Sequence, residues 1–165
     1  MSARGRLPLA LTLGEPAGLG PDLTLAVWRR RVEFDVPAFY LIGDEDFLRS
    51  RARVLGLDLP LAVVTPEQAN ATFERALPVV PLGLSVTAAP GKPDASSAPA
   101  AIASIRCAVD DVLSGRAAAM VTNPVAKNVL YRSGFAEPGH TEFLAKLAAE
   151  ATAKPVRPVM MLWSA

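Results

Sequence analysis

The residue types best suited to bind an anion lie in the last third of the chain. His140, the one histidine among 165 residues, stands before Thr141 in a polar segment that leads into a predicted helix. Both side chains can hydrogen-bond a hydroxyl or phosphate group, but Thr141 would equally suit a helix cap, and a lone histidine is often structural. Lys127 begins another predicted helix, where its charge opposes the helix dipole, so anion binding or simple solvent exposure could explain it.

A second polar group follows the first predicted strand. Residues 14–21 read GEPAGLGP, and their glycines lack the Gly-x-Gly-x-x-Gly spacing of dinucleotide loops. Glycines after a strand favour a tight turn or an anion site built from backbone N–H groups, and a tight turn alone explains this spacing. Glu15 could accept a substrate amine or hydroxyl, whereas Asp22 is expected to serve the start of the next helix.

The composition excludes several classes of protein. Hydrophobic residues make up 51% and charged residues 20% of the chain, which disfavours disorder, and a net charge of +1 disfavours nucleic-acid binding. No stretch approaches the ~18 apolar residues of a membrane span, so we expect a soluble, cytoplasmic protein without a membrane partner. Cys107 lies in an apolar helical pattern that predicts a buried, inert thiol. With one cysteine and one histidine, no metal site is assigned within this chain.

Apolar runs bounded by glycine, proline and capping residues predict strands that alternate with helices. The predicted strands are 7–13, 38–43, 61–64, 117–122 and 157–163, and the predicted helices are 22–31, 45–55 behind an Asp44 cap, 98–114, a short one ending at 131, and 141–152. Residues 65–92 read as extended segments outside the main sheet. Strands that are apolar throughout indicate an α/β fold with a mostly parallel sheet and helices on both faces, where ligands bind beyond the carboxyl ends of the strands.

Four segments carry a family resemblance. In chain order they are LTLGEPAGLGPDL, GKPDASSAPAAIASIRCAVDDVLSG, VTNPVAKNVLYRSGFAEPGHTEFLA and VMMLW. Together they resemble the 4-hydroxythreonine-4-phosphate dehydrogenase family over nearly the whole chain. The resemblance implies NAD-dependent oxidation, with decarboxylation, of 4-phosphooxy-L-threonine in pyridoxal 5'-phosphate biosynthesis. It also implies a fold like that of isocitrate and isopropylmalate dehydrogenases rather than a Rossmann fold.

The resemblance further assigns residues and partners. It places His140 and Thr141 in substrate binding and leaves the catalytic and cofactor-binding residues unassigned, while Lys127 remains a candidate anion contact because of its position at a helix start. It implies a homodimer and a divalent metal (Zn, Mg or Co) held by three histidines beyond this chain. Many members have other residues in place of Asn123 and Ala126, so a phosphorylated sugar acid stays open as the substrate.

The domain organisation follows from the same resemblance. Residues 1–165 are expected to be the amino-terminal portion of a larger two-lobed dehydrogenase, without its carboxyl-terminal portion and inactive alone. Two interpretations from other classes stay open, namely a non-catalytic binding module of the same fold and a phosphate-handling transferase.

Overall fold

A computed structural model describes residues 7–164, which form a five-stranded parallel sheet in the order β3-β4-β2-β1-β5. The strands are β1 (Leu9–Thr12), β2 (Phe39–Gly43), β3 (Leu61–Val63), β4 (Leu77–Pro81) and β5 (Ala119–Val121). The helices are α1 (Gly20–Arg29), α2 (Glu45–Val54), α3 (Ala69–Phe73), α4 (Ala98–Leu113), α5 (Lys127–Arg132) and α6 (His140–Thr152). No helix in this part of the chain is long and apolar enough to cross a membrane.

Helices cover the sheet on both faces, as predicted. Alternate residues of a strand point to opposite faces. Leu11 of β1 packs with Trp28 of α1 and Leu48 of α2 in the larger core. Its neighbour Ala10 packs on the other side with Ala108 of α4. The central strand β2 is buried at all five positions, which explains why its sequence is apolar throughout.

The predicted helix boundaries have clear local causes. Asp44 caps α2, because its Oδ1 accepts hydrogen bonds from the backbone N–H groups of Asp46 at 2.9 Å and Phe47 at 3.3 Å. Its Oδ2 accepts a third, from the N–H of Val86 at 2.8 Å, and so ties the start of α2 to a distant loop. Pro21 lies in the first turn of α1, where the missing N–H costs nothing.

The prediction that residues 65–92 leave the sheet is wrong. Strand β4 lies between β3 and β2, with Val79 opposite Leu41 on one side and Val63 on the other. Two prolines in this five-residue strand concealed it, since proline is expected at sheet edges rather than inside.

The predicted strand at 157–163 is also wrong for this structure. Residues 153–164 are exposed, and those from 155 onward have no regular secondary structure. A strand is stable only when it pairs with neighbours, and nothing among residues 7–164 pairs with this apolar segment.

Cys107 lies on the outer side of α4 and is exposed, which contradicts the predicted burial. The helical phase explains this, because Ser104 and Ala108 face the sheet and leave position 107 outside. Partial desolvation, together with the charges of Asp111 and Asp110, raises the pKa of the Cys107 thiol. The thiol is therefore mostly protonated at neutral pH, in line with an inert cysteine.

Candidate binding site at the carboxyl edge of the sheet

The loops after β1 and β5 meet because these strands are parallel neighbours. The backbone N–H of Glu15 donates to the carbonyl of Pro124 at 2.8 Å. The buried side chain of Asn123 donates through Nδ2 to the carbonyl of Thr12 at 2.9 Å and to Oγ1 of Thr24 at 3.0 Å. Asn123 therefore holds the end of β5 against both the end of β1 and helix α1.

Two glycines of the first loop permit this close approach. A Cβ at Gly14 would lie 2.7 Å from both Cβ of Asn123 and the carbonyl of Pro124, and its φ is +70°. A Cβ at Gly20 would lie 2.9 Å from the carbonyl of Leu13 and 3.0 Å from Cβ of Asn123. The glycines thus serve packing between loops, which favours the tight-turn interpretation of the motif.

The first loop also uses its own polar groups. The buried carboxylate of Glu15 accepts from the N–H of Ala17 at 3.0 Å and from Oγ of Ser97 at 3.1 Å. The N–H of Gly18 donates to the carbonyl of Glu15 at 2.9 Å. Glu15 therefore joins the loop to the start of α4, and the N–H groups of Ala17 and Gly18 are already bonded within the loop. These two N–H groups are therefore not available to an anion.

Asp22 lies at the start of α1, as predicted, although it is not the capping residue. The N-cap residue is Leu19, which makes no side-chain capping bond, and Asp22 lies in the first turn. Its carboxylate pairs instead with Nε of the buried Arg51 on α2, whose Nη2 donates to the carbonyl of Gly18 at 2.6 Å. Sequence reasoning missed Arg51, because no local pattern links residues 29 positions apart.

The second predicted group lies at the start of α6, which begins at His140, one residue earlier than predicted. The N-cap is Gly139, so Thr141 is inside the first turn and makes no capping bond. The ring of His140 is half-buried, and its Nε2 is buried without a hydrogen-bond partner among the described residues. Buried polar atoms without a partner are uncommon in folded proteins, so this nitrogen needs an explanation.

His140 and Lys127 line the same small cavity. Its volume of about 10 Å³ is close to that of one water molecule, and its remaining lining is mainly apolar, including Ile105, Leu130 and Phe135. The structure thus brings together two of the predicted site residues, one from the start of α5 and one from the start of α6. Glu15 and Asp22 do not line this cavity.

The surroundings of His140 favour the neutral form of its ring. Desolvation lowers the pKa of His140, and the positive charge of Lys127 lowers it further. A neutral imidazole has one donor and one acceptor nitrogen, so Nε2 can take part in either kind of hydrogen bond according to the tautomer. The hydroxyl of Tyr131 donates to the carbonyl of Pro138 at 2.7 Å and so fixes the loop before His140 against α5. The sequence carries no signal for this contact.

The described residues do not fit a metal centre. Residues 7–164 contain no group of three or more histidine, cysteine, aspartate or glutamate side chains placed to hold a metal ion. His140 would thus be a single ligand at most.

Comparisons with known proteins cover nearly the whole chain. The family described as pyridoxal phosphate biosynthetic protein PdxA matches residues 35–165. A 4-hydroxythreonine-4-phosphate dehydrogenase of Bradyrhizobium diazoefficiens is 58% identical, over 99% of this chain and 50% of that protein. The corresponding protein of Methylorubrum populi is also 58% identical, over 95% of this chain and 46% of its own length.

A solved structure supports the fold. The crystal structure of a 4-hydroxythreonine-4-phosphate dehydrogenase from Burkholderia phymatum superposes with a TM-score of 0.79 at 26% identity, over 88% of this chain and 44% of that one. The predicted α/β fold with a parallel sheet is confirmed. The chain spans about half the length of the curated relatives it matches.

Proposed function

This chain belongs to the pyridoxal phosphate biosynthetic protein PdxA family, and from that premise we propose that residues 1–165 form the amino-terminal, substrate-side portion of a two-lobed dehydrogenase. The reaction we assign is the NAD-dependent oxidation of 4-phosphooxy-L-threonine, followed by loss of carbon dioxide. The family supports this reaction, and the half-length match supports the division into two portions. We further propose that the family-length protein is a cytoplasmic homodimer.

The observation that carries the proposal is the unpaired, buried Nε2 of His140 beside the charge of Lys127. A substrate hydroxyl or phosphate oxygen would give Nε2 the hydrogen bond that it lacks. Lys127 is exposed and would pair with the phosphate as a point charge. Thr141 is next to His140 in the first turn of α6 and would add a hydroxyl contact.

The start of α6 adds to this preference for an anion. A 13-residue helix carries a partial positive charge at its first turn, where its backbone N–H groups lack partners within the helix. His140 and Thr141 lie in that turn. The neutral ring, the lysine and the helix start together would orient a phosphorylated substrate without placing a second full charge on the histidine.

This portion leaves the redox chemistry to other residues. The described residues contain no group of side chains placed to hold a metal ion, and the N–H groups of Ala17 and Gly18 in the first loop are already bonded. We therefore assign the binding of NAD and of the divalent metal to the carboxyl-terminal portion of a family-length protein. The role of this chain is to bind and orient the substrate.

A chimera tests the proposal. The family-length chimera joins residues 1–165 of this chain to the residues that follow the matching segment of the Bradyrhizobium relative. NADH formation would be followed by absorbance with 4-phosphooxy-L-threonine and with zinc, magnesium or cobalt. We expect no turnover by the isolated chain and metal-dependent turnover by the chimera.

The controls separate the alternatives. Circular dichroism establishes that the isolated chain is folded before its inactivity is interpreted. Turnover by the isolated chain would contradict the division of labour. A folded chimera that oxidises a phosphorylated sugar acid and not 4-phosphooxy-L-threonine would contradict the substrate.

A further inference from the structure

The cavity beside His140 is too small for a phosphate group in this structure. Nε2 of His140 is buried, and the cavity volume of about 10 Å³ admits one water molecule but not a larger anion. An oxygen of a bound anion can therefore reach Nε2 only if part of the cavity wall moves. The burial of the residues that line the cavity shows which part is free to do so.

Most side chains of the wall are fixed by packing. Ile105 and Leu130 are almost fully buried in hydrophobic clusters. Phe135 packs edge-to-face on Phe143, with the ring centroids 4.9 Å apart. Moving any of these side chains would leave a void in the core, which is costly, so they are not suited to open the cavity.

Lys127 and Tyr131 are the exposed members of the wall. They are four residues apart on α5 and so lie on the same side of the helix, and Tyr131 keeps 47% of its accessible surface. The hydroxyl of Tyr131 donates to the carbonyl of Pro138, two residues before His140, at 2.7 Å. This hydrogen bond closes the solvent side of the cavity over the buried ring nitrogen.

We propose that Tyr131 is both the gate of this site and a further anion-binding residue. When the anion enters, the Tyr131 hydroxyl leaves the carbonyl of Pro138 and donates to a phosphate oxygen. A hydrogen bond to a charged acceptor is stronger than one to a neutral carbonyl, so the exchange favours the bound state. Pro138 is exposed, so water can replace the lost donor at its carbonyl and no buried acceptor is left without a partner. The inference rests on the proposed function, because it takes His140 as a contact of the phosphorylated substrate.

Tyr131→Phe tests the gate in the 165-residue chain, because it removes the hydroxyl and keeps the ring. Ser133→Ala is the matched control. The Ser133 hydroxyl also donates to a backbone carbonyl at the end of α5, that of Val129 at 3.0 Å, but Ser133 does not line the cavity. Diethyl pyrocarbonate would acylate the His140 ring, and NMR of the ring protons would identify the modified nitrogen.

We expect Nε2 to react about 2–10-fold faster in Tyr131→Phe, the factor by which one lost neutral hydrogen bond raises the population of a locally open state. The rate should be unchanged in Ser133→Ala. Circular dichroism and the melting temperature establish that both variants are folded before the rates are compared.

Inorganic phosphate tests the exchange of hydrogen bonds. Its binding to the same chain would be followed by the ring-proton signals of His140. We expect the dissociation constant for phosphate to rise about 5–10-fold in Tyr131→Phe, because the variant loses a bond to a charged acceptor in the bound state and only a weaker bond in the free state. In the unsubstituted chain, phosphate should also shift the ring signals of Tyr131, a measurement that does not depend on the folding of any variant.

The outcomes separate this inference from the proposed function. An unchanged rate of Nε2 acylation in Tyr131→Phe would overturn the gate. An unchanged phosphate dissociation constant, or Tyr131 signals that stay fixed while those of His140 shift, would overturn the exchange. In each of these cases a phosphate-dependent shift of the His140 signals would leave the proposed function standing. Phosphate that shifts no His140 signal in the unsubstituted chain would contradict the proposed substrate contact, and this inference with it.

Discussion

The two loop regions at the carboxyl edge of the sheet use their polar groups in opposite ways. In the region around Gly14 and Asn123, side chains and backbone groups bond to one another across β1, β5 and α1. In the region around His140, a buried ring nitrogen has no partner within the described residues, and the neighbouring Lys127 is exposed. The polar groups of the first region mostly hold the fold together, although Nη1 of Arg51 beside it is buried without a partner, and the second region is the one that we propose binds the substrate.

This difference agrees with the interpretation of the glycine-rich motif as a tight turn. The glycines of the first loop make room for Asn123 and Pro124, and the N–H groups of Glu15, Ala17 and Gly18 are already hydrogen-bonded within the fold. The lone histidine, which could easily have been structural, has unused hydrogen-bonding capacity at Nε2, and so does Nη1 of Arg51, whose Nη2 donates to the first loop. Satisfied groups stabilise, and unsatisfied groups are available for recognition.

The largest expected effect is on the first region. Gly14→Ala should lower the free energy of unfolding by about 2–5 kcal/mol, since it adds a left-handed backbone cost of about 1–2 kcal/mol to overpacking against Asn123 of about 1–3 kcal/mol. Urea denaturation of the 165-residue chain measures this. Gly83→Ala is the control, because Gly83 has a similar φ of +72° but open space around it. An equal decrease in the free energy of unfolding at both positions would show that close packing against Asn123 does not contribute to stability.

Asn123→Ala sharpens the same point. It removes two donors to Thr12 and Thr24 and leaves the buried carbonyl of Thr12 without that hydrogen bond, so we expect a loss of about 1–3 kcal/mol in unfolding free energy. The exposed Asn128→Ala is the matched control and should change stability by less than about 0.5 kcal/mol. An unchanged stability for Asn123→Ala would remove the structural role that we give this residue.

The sequence predicts those features of the fold and of the site that depend on residues close together in the chain. The Asp44 cap and helix α4 follow from patterns within a few residues, and both were predicted correctly. Strand β4 was hidden because its prolines contradict the usual central-strand pattern. The contact from Ser97 to Glu15 joins residues 82 positions apart, and no periodicity encodes it. The candidate residues could be named from their types. Whether each side chain has a hydrogen-bond partner, however, depends on tertiary contacts.

The smallest effect concerns the titration of His140. As the one histidine of the chain, it gives one set of ring-proton signals in NMR. We expect its pKa to lie below the ordinary value of ~6.5 and to rise toward it in Lys127→Met, because one of the two causes of the shift is removed. Lys154→Met is the control and should leave the titration unchanged. If the pKa of His140 is not below the ordinary value, or if it does not change in Lys127→Met, then Lys127 does not act on the His140 ring and the proposed site is contradicted.

The same shift predicts a pH dependence of stability. The unfolded chain binds a proton on His140 more readily than the folded chain, so stability rises with pH through the window that ends near ~6.5. As the pH falls through the lowered pKa of the folded state, this contribution is lost. Lys127→Met should raise the pKa of His140 in the folded state and so shorten the pH range over which stability changes. Urea denaturation at several pH values would measure this change.

The most direct test of the central claim is the kinetic and thermal behaviour of His140→Ala in the family-length chimera. If His140 is reserved for the substrate, kcat/KM should fall by about 10–150-fold, which corresponds to one lost hydrogen bond to a charged group of about 1.5–3 kcal/mol, while the melting temperature stays unchanged. If the variant instead loses much of its thermal stability while its KM stays unchanged, His140 is a structural residue and the contrast between the two regions fails.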